Sequence, residues 1–197
     1  MDQEQSIYNK EKFDLVQEIK SKGGVKGDFQ NIDLSGANLS KTFLHNADFS
    51  NATLIHTNLS GADLKHVKFH NADLTNADLS GANLSFASLI GVNLTGANLK
   101  MSDFSGADLT DANLQNVTLT KSFLSAADAT NANFTGANLS ETYLYRTNLN
   151  GANLTGANLT DTKFNKTKIS NTIFGNNIGL DDAVKEELIA QGAIFNS

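Results

Sequence analysis

Residues 71–84 read NADLTNADLSGANL. Leucine recurs every fifth residue, at Leu74, Leu79 and Leu84, with an alanine two residues before each. Stepping by five from Leu79 in both directions holds this frame from Phe29 to Phe174 without a slip. The 30 central positions comprise 21 Leu, 7 Phe, Ile169 and Ala129. Two residues before the centre stand 16 Ala and 7 Thr, the rest being Val67, Val92, Val117, Ser102, Ser122, Gly27 and Ile32. The remaining three positions of each repeat are mostly Asn, Asp, Ser, Thr, Gly and Lys.

A period of five is neither 3.6 nor 2. A helix would smear the leucines around its axis, and a flat strand would alternate them between its faces. A chain that turns a corner every five residues buries them all, sending the centre and the small residue inward each time. Two positions past the centre the residue is Gly nine times and Asn nine times. Those residues accept the positive φ of a tight corner. The core is then columns of Leu and Phe stacked at the ~4.8 Å spacing of paired strands. On this reading every centre from Leu34 to Leu159, with the small residue before it, is buried. Ala129 interrupts the run of large centres, which predicts a small void or a local tightening of the coil.

The run A-(N/D)-L-x-x resembles the pentapeptide repeat family over about three quarters of the chain. Periodicity alone leaves handedness and the number of sides open. The resemblance implies an all-β solenoid, a right-handed quadrilateral β-helix with four repeats per coil. Residue n would then stack on n+20, with Ala129 between Leu109 and Leu149, and the 30 repeats would make about 7.5 coils in a rod ~36 Å long. The dense repeats and the ending GLDDAVKEELIAQGAIF resemble cyanobacterial members.

A solenoid has two open ends, and both flanks read as helical caps. The expected division is residues 1–26 as an N-terminal cap, 27–176 as the β-helix and 177–197 as a C-terminal cap. Residues 6–22 read as a helix stopped by Gly23-Gly24, with Tyr8, Phe13, Leu15, Val16 and Ile19 to cover the first coil. Residues 179–191 read as a second helix, with Leu180, Val184 and Leu188 on one face, Asp181 and Asp182 at its start and Gly192 at its stop. Ile194 and Phe195 are expected to fold back onto the rod. The C-terminal helix serves either as a cap or as a dimer contact, because relatives that bind topoisomerases pair through that end. The chain is thus expected as a monomer or as a dimer through its C-terminal end.

Composition narrows the function classes. The net charge is −6, and Cys, Pro and Trp are absent. No thiolate metal site or disulfide is available, which suits a reducing cytoplasm. No apolar run reaches the ~18 residues of a membrane span, and the first residues do not resemble a signal peptide. No basic cluster points to direct nucleic-acid binding. The Ser and Asp residues belong to the repeat, so they argue for no hydrolase. His45, His56, His66 and His70 fall at different corners or levels of a four-sided coil and form no common metal site. Phosphate-loop, dinucleotide and calcium-nonapeptide motifs are absent. The expectation is a non-enzymatic, cofactor-free rod that binds or scaffolds an as yet unidentified protein. The alternative is a DNA mimic acting on DNA gyrase or topoisomerase IV. Duplex DNA carries a charge per ~1.7 Å, about 21 over the length of this rod. Residues 27–176 hold twelve acids and nine bases, a net of −3.

One side of the rod departs from the bland consensus. It contains residues 42–46, 62–66, 82–86, 102–106, 122–126, 142–146 and 162–166. Phe43, Phe123 and Tyr143 replace the usual Asn or Asp before the centre, and Phe86, Tyr145 and Arg146 occupy outward positions. Lys65, Arg146, Lys163 and Lys166 against Asp63 and Asp103 make it +2. The side that follows is −3, from Asp28, Asp48, Asp108, Asp111 and Asp128 against Lys68 and Lys168. Phe43, Lys65, His66, Phe86, Phe123, Tyr143, Tyr145 and Arg146 are therefore the candidate protein-contact residues, since aromatics and Arg concentrate at interface hot spots. Phe43, Phe123 and Tyr143 could instead fold flat over their own corners and only stiffen the coil.

Overall fold

The computed structural model describes residues 3–196, with side chains from Lys10 onward. Its named elements are α1 (Gln3–Lys22), β1 (Ile173–Phe174), α2 (Asp182–Ala190) and β2 (Ile194–Phe195). Between the helices the chain forms single-residue parallel bridges, one per repeat. Each residue just before a centre bridges the residue 20 positions on, from Asp28–Asp48 to Asn158–Ile178. A coil of 20 residues with a corner every five has four sides.

Most repeats settle their backbone polar groups in the same way. The N–H of Leu34 donates to Thr53 O one coil on, at 2.8 Å, and the N–H of Asp48 donates back to Gly27 O at 2.9 Å. The corner N–H of Gly36 donates to Ile55 O, and Ala37 N–H closes the turn on Leu34 O at 3.0 Å. These bonds use four of the five amides. The fifth follows the centre, and the side chain preceding the centre accepts it: Ser35 N–H donates to Asp33 Oδ1 at 2.7 Å. Buried amides go unpaired only at a cost, so the Asn or Asp of the consensus has a structural task. All 30 corner residues two past a centre have φ between +50° and +71°, while the residue before each does not. That combination is a type II turn, which explains the Gly and Asn.

The core follows the frame. Every centre from Leu34 to Leu159 is at most 1% exposed. The small residues before them are buried as well, except Ile32, which is half-buried at the first coil. Where the small residue is Thr, its buried hydroxyl finds a carbonyl: Thr142 Oγ1 donates to Leu119 O and Thr147 Oγ1 to Leu124 O, at 2.8 and 2.7 Å. Phe29, Phe49 and Phe69 stack at 4.8 and 5.4 Å between centroids. A side chain at Gly27 would run into the Phe29 ring, so this small position has shrunk to nothing. At Ala129 the ladder continues in register, with Leu109 N–H to Asp128 O at 2.6 Å and Ala129 N–H to Asn148 O at 2.7 Å.

The flanking helices join the same core. Val16 and Ile19 of α1 are buried in it, and Leu15 packs against it. Phe13, expected among the covering residues, is 62% exposed. At 100° per residue it lies about 60° beyond Val16, outside the arc of Leu15, Val16 and Ile19. The side chain of Tyr8 lies outside the described residues. Gly23, at φ +74°, ends α1 with its N–H on Ile19 O. In α2, Asp181 caps the Val184 amide and Leu188 is buried, with Leu180 and Val184 packed on the core. Gly192 reverses the chain at φ +96°. β2 then pairs in parallel with β1, Ile194 on Ile173 and Phe195 on Phe174, and the two phenylalanine rings stack at 4.9 Å. Phe195 thus extends a core column by one rung, while Ile194 stays 45% exposed.

Candidate functional site

Because the bridges run in steps of 20, the seven five-residue segments of the aromatic side form one continuous strip. Phe43, Asp63, Asn83, Asp103, Phe123, Tyr143 and Lys163 follow one another up a single column. Four of these seven forgo the Asn or Asp that would cap an amide, because a ring or an ammonium offers that N–H no acceptor. The opposite pattern holds on the side carrying Asp73, Asn93, Asn113, Asn133 and Asn153. There Asn93 accepts from Thr95 N–H and Oγ1, and donates to Thr75 Oγ1 at 2.9 Å and to Asp73 Oδ1 at 3.2 Å. Asn113 repeats the motif one coil on, at Thr95.

The corners make the same division. The corner that ends the aromatic side carries Asn46, His66, Phe86, Gly106, Ala126, Arg146 and Lys166, and the corner that begins it carries Lys41, Gly61, Gly81, Met101, Lys121, Glu141 and Asp161. Five of seven in each are neither Gly nor Asn. Each of the other two corners departs once in eight, at His56 and at Asp111. An L-residue in the left-handed region costs roughly 1–2 kcal/mol. Departures from the fold's own preference therefore collect on one side and its two borders. Met101, 67% exposed, belongs to this strip. Reading the side alone misses it; tabulating corner residues by column finds it.

The candidate residues fall into two groups rather than one. Toward the N-terminal end, His66 and Phe86 stack at 5.4 Å with their planes 14° apart. The Phe86 ring covers Gly106, where a Cβ would come within 2.7 Å of it. Phe43 is 64% exposed on the first coil, with its carbonyl accepting from Gly24 N–H. Lys65 N–H donates to Asp63 Oδ1 at 3.3 Å, and its side chain is exposed. His45 Nδ1 lies 3.6 Å from Asp63 Oδ2, too far for a hydrogen bond. The second group lies toward the C-terminal end. Phe123 and Tyr143 stack at 5.0 Å, and both stay nearly half exposed. The guanidinium carbon of Arg146 lies 5.2 Å and Lys166 Nζ 5.6 Å from the centre of the Tyr145 ring, within cation–π range. Asn83, Asp103 and Ser105 separate the groups. Phe123 and Tyr143 thus stack along the rod on each other, one rung apart.

The acidic side is held differently. Asp28, Asp48 and Lys68 are successive rungs, as are Asp108, Asp128 and Asn148. Like charges opposed across a ladder repel. Lys68 Nζ reaches Asp48 Oδ2 at 3.2 Å, and Asn148 Nδ2 reaches Asp128 Oδ1 at the same distance. Partial burial works against the Asp48 charge, but hydrogen bonds from Ser50 and Lys68 outweigh it and hold the carboxyl below its usual value. Among the described residues no three His, Asp or Glu come together as metal ligands. None of the helices described is long and apolar enough to cross a membrane.

Solved structures similar to this chain include those of three proteins. HetL, a pentapeptide repeat protein involved in heterocyst differentiation regulation in the cyanobacterium Nostoc sp. strain PCC 7120, is 27% identical over 77% of this chain and 84% of its own, with a TM-score of 0.32. Rfr23, a pentapeptide repeat protein of the cyanobacterium Cyanothece 51142, is 23% identical over 82% and 98%, with a TM-score of 0.39. QnrB1, a plasmid-mediated fluoroquinolone resistance protein, is 19% identical over 83% and 84%, with a TM-score of 0.37. No curated protein sequence matches significantly. The family model described as the pentapeptide repeat region matches residues 26–99 and 97–174. The chain belongs to the pentapeptide repeat family, whose fold is the right-handed quadrilateral β-helix.

Proposed function

We propose that this chain is a non-enzymatic scaffold that binds a protein along its aromatic side, with the Phe123, Tyr143, Tyr145 and Arg146 group at the centre of the contact. The observation that carries this reading is the asymmetry of the corners. One strip departs from Gly and Asn five times in seven on each border, and its ladder column drops four amide caps. Local costs concentrated on one surface point to a use for that surface. The exposed rings supply the apolar contact that a hot spot needs.

The supporting parts follow from the same reading. α1 and α2 act as caps on residues 27–176, making about 7.5 coils between them and shielding core that would otherwise meet water. No cofactor takes part. The cysteine-free chain suits a reducing cytoplasm, where we place it. Capture of host proteins on the immobilised chain tests the reading, against the double variant Tyr145→Ser with Arg146→Gly. Capture is expected to fall while the melting temperature barely moves, because relief of the left-handed Arg146 is offset by the greater freedom of Gly in the unfolded chain. Unchanged capture would shift the contact to the helical ends.

A further inference from the structure

The upper part of the aromatic side differs from the molecule that carries it. The chain has a net charge of −6, yet residues 122–126, 142–146 and 162–166 hold Arg146, Lys163 and Lys166 and no acid. Among the described residues, none of these three cations has a carboxylate within 4 Å. Arg146 and Lys166 lie against the Tyr145 ring instead. The nearby acids are otherwise placed: Glu141 pairs with Lys121 at 3.6 Å, Asp161 stands on the bordering corner more than 4 Å from these cations, and Glu187 of α2 lines a depression beside Lys163 without reaching it. The Phe123–Tyr143 stack on the same side offers an apolar surface one ring deep, with Lys163 as the next rung of its column. Two cations, Arg146 and Lys166, thus stand on the corner beside a two-ring stack that Lys163 continues, the whole site spanning three rungs, or ~10 Å.

We propose that the occupant of this site is an acidic peptide segment carrying an aromatic or aliphatic residue. The proposal rests on the reading of this side as a protein contact and supplies the partner's chemistry. Carboxylates would meet Arg146, Lys163 and Lys166, and the apolar residue would lie on the Phe123–Tyr143 stack. Charge complementarity sets the choice. Arg146 can receive a carboxylate through two parallel N–H donors. A long polyanion fits poorly, because beyond three rungs it would run along a chain of net negative charge.

The probe is a labelled peptide of about ten residues, acids flanking a Leu-Phe pair, titrated with the full chain. Fluorescence anisotropy reads binding. Tyrosine emission reads the site itself, since the chain has no Trp and two of its three Tyr are Tyr143 and Tyr145. Expected are saturable binding, a change in tyrosine emission, weakening with added salt, and about a tenfold or greater loss on Arg146→Glu with Lys166→Glu. Lys168→Glu, on the neighbouring side, should leave binding unchanged. Absence of binding overturns the proposal, as does equal binding of the same peptide with Lys for its acids. Preference for a single-stranded oligonucleotide overturns it toward nucleic acid. Concentration-dependent self-association that the double charge reversal abolishes overturns it toward a second copy of this chain. If host-protein capture still falls on Tyr145→Ser with Arg146→Gly while the acidic peptide does not bind, this inference fails alone and the protein-contact reading stands.

Discussion

The aromatic side and the amide side of this rod share one backbone and one core, yet they use their outer positions in opposite ways. On the amide side, Asn93, Asn113 and their neighbours serve the fold: each caps an amide, and several reach the coil below. On the aromatic side, Phe123 and Tyr143 give up that cap and stack on each other in the open. This architecture is therefore specified from inside and at the corners. The outer residue before each centre contributes a modest increment that can be surrendered without loss of register. A surface built this way can be rewritten one column at a time.

The sharpest contrast is inside against outside. Leu144 is fully buried beneath Tyr143 and Tyr145. Leu144→Ala should cost about 2–5 kcal/mol, and Tyr145→Ser well under 1 kcal/mol as an exposed change. Urea denaturation of the two variants compares them, and equal losses would mean that the exposed ladder carries the fold.

A reciprocal exchange probes the outer positions directly. Asn93→Phe removes the cap on Thr95 and should cost about 1 kcal/mol. Phe123→Asn together with Tyr143→Asn restores two caps and should raise the melting temperature while reducing partner capture, a trade of stability against function. A fall in melting temperature for the second pair would show that ring stacking outweighs the caps.

The acidic side supplies a smaller, pH-dependent effect. The folded-state pKa of Asp48 is depressed, so its contribution is present above the ordinary aspartate value and is lost as pH falls through the depressed one. Lys68→Ala removes one of the hydrogen bonds that hold the charge. The acid limb of stability should become shallower in that variant, and an unchanged limb would mean that the Ser50 bonds alone set the shift. Smallest of all is the effect expected on DNA gyrase: supercoiling should be unaffected by low-micromolar protein, because −3 over the rod falls far short of about 21 charges. Dose-dependent inhibition would favour the DNA-mimic alternative.

The period of five was legible because it is a property of single residues repeated 30 times, and neither helix nor strand accommodates it. The odd side was legible once the chain was wound in twenties, since Phe43, Phe86 and Tyr145 stand out from Asn, Gly and Ser. Other features depended on partners that are remote in sequence. The division of the candidate residues into two groups rests on which rings meet across coils. The exposure of Phe13 follows from how α1 lies on the first coil. Phe195 as an added rung depends on α2 returning the chain to the Phe174 column. The place of Met101 in the strip appears when corners are compared by column rather than side by side.

A side-chain footprint tests the proposed contact most directly. Hydroxyl radicals label exposed aromatic, methionine and aliphatic residues, and mass spectrometry reads each position with and without a captured partner. Phe123, Tyr143 and Tyr145 should lose reactivity in the complex, while Ile178, Ile189 and Ile194, exposed near the C-terminal end, should keep theirs. Protection of those three isoleucines with undiminished labelling of Tyr143 and Tyr145 would contradict it.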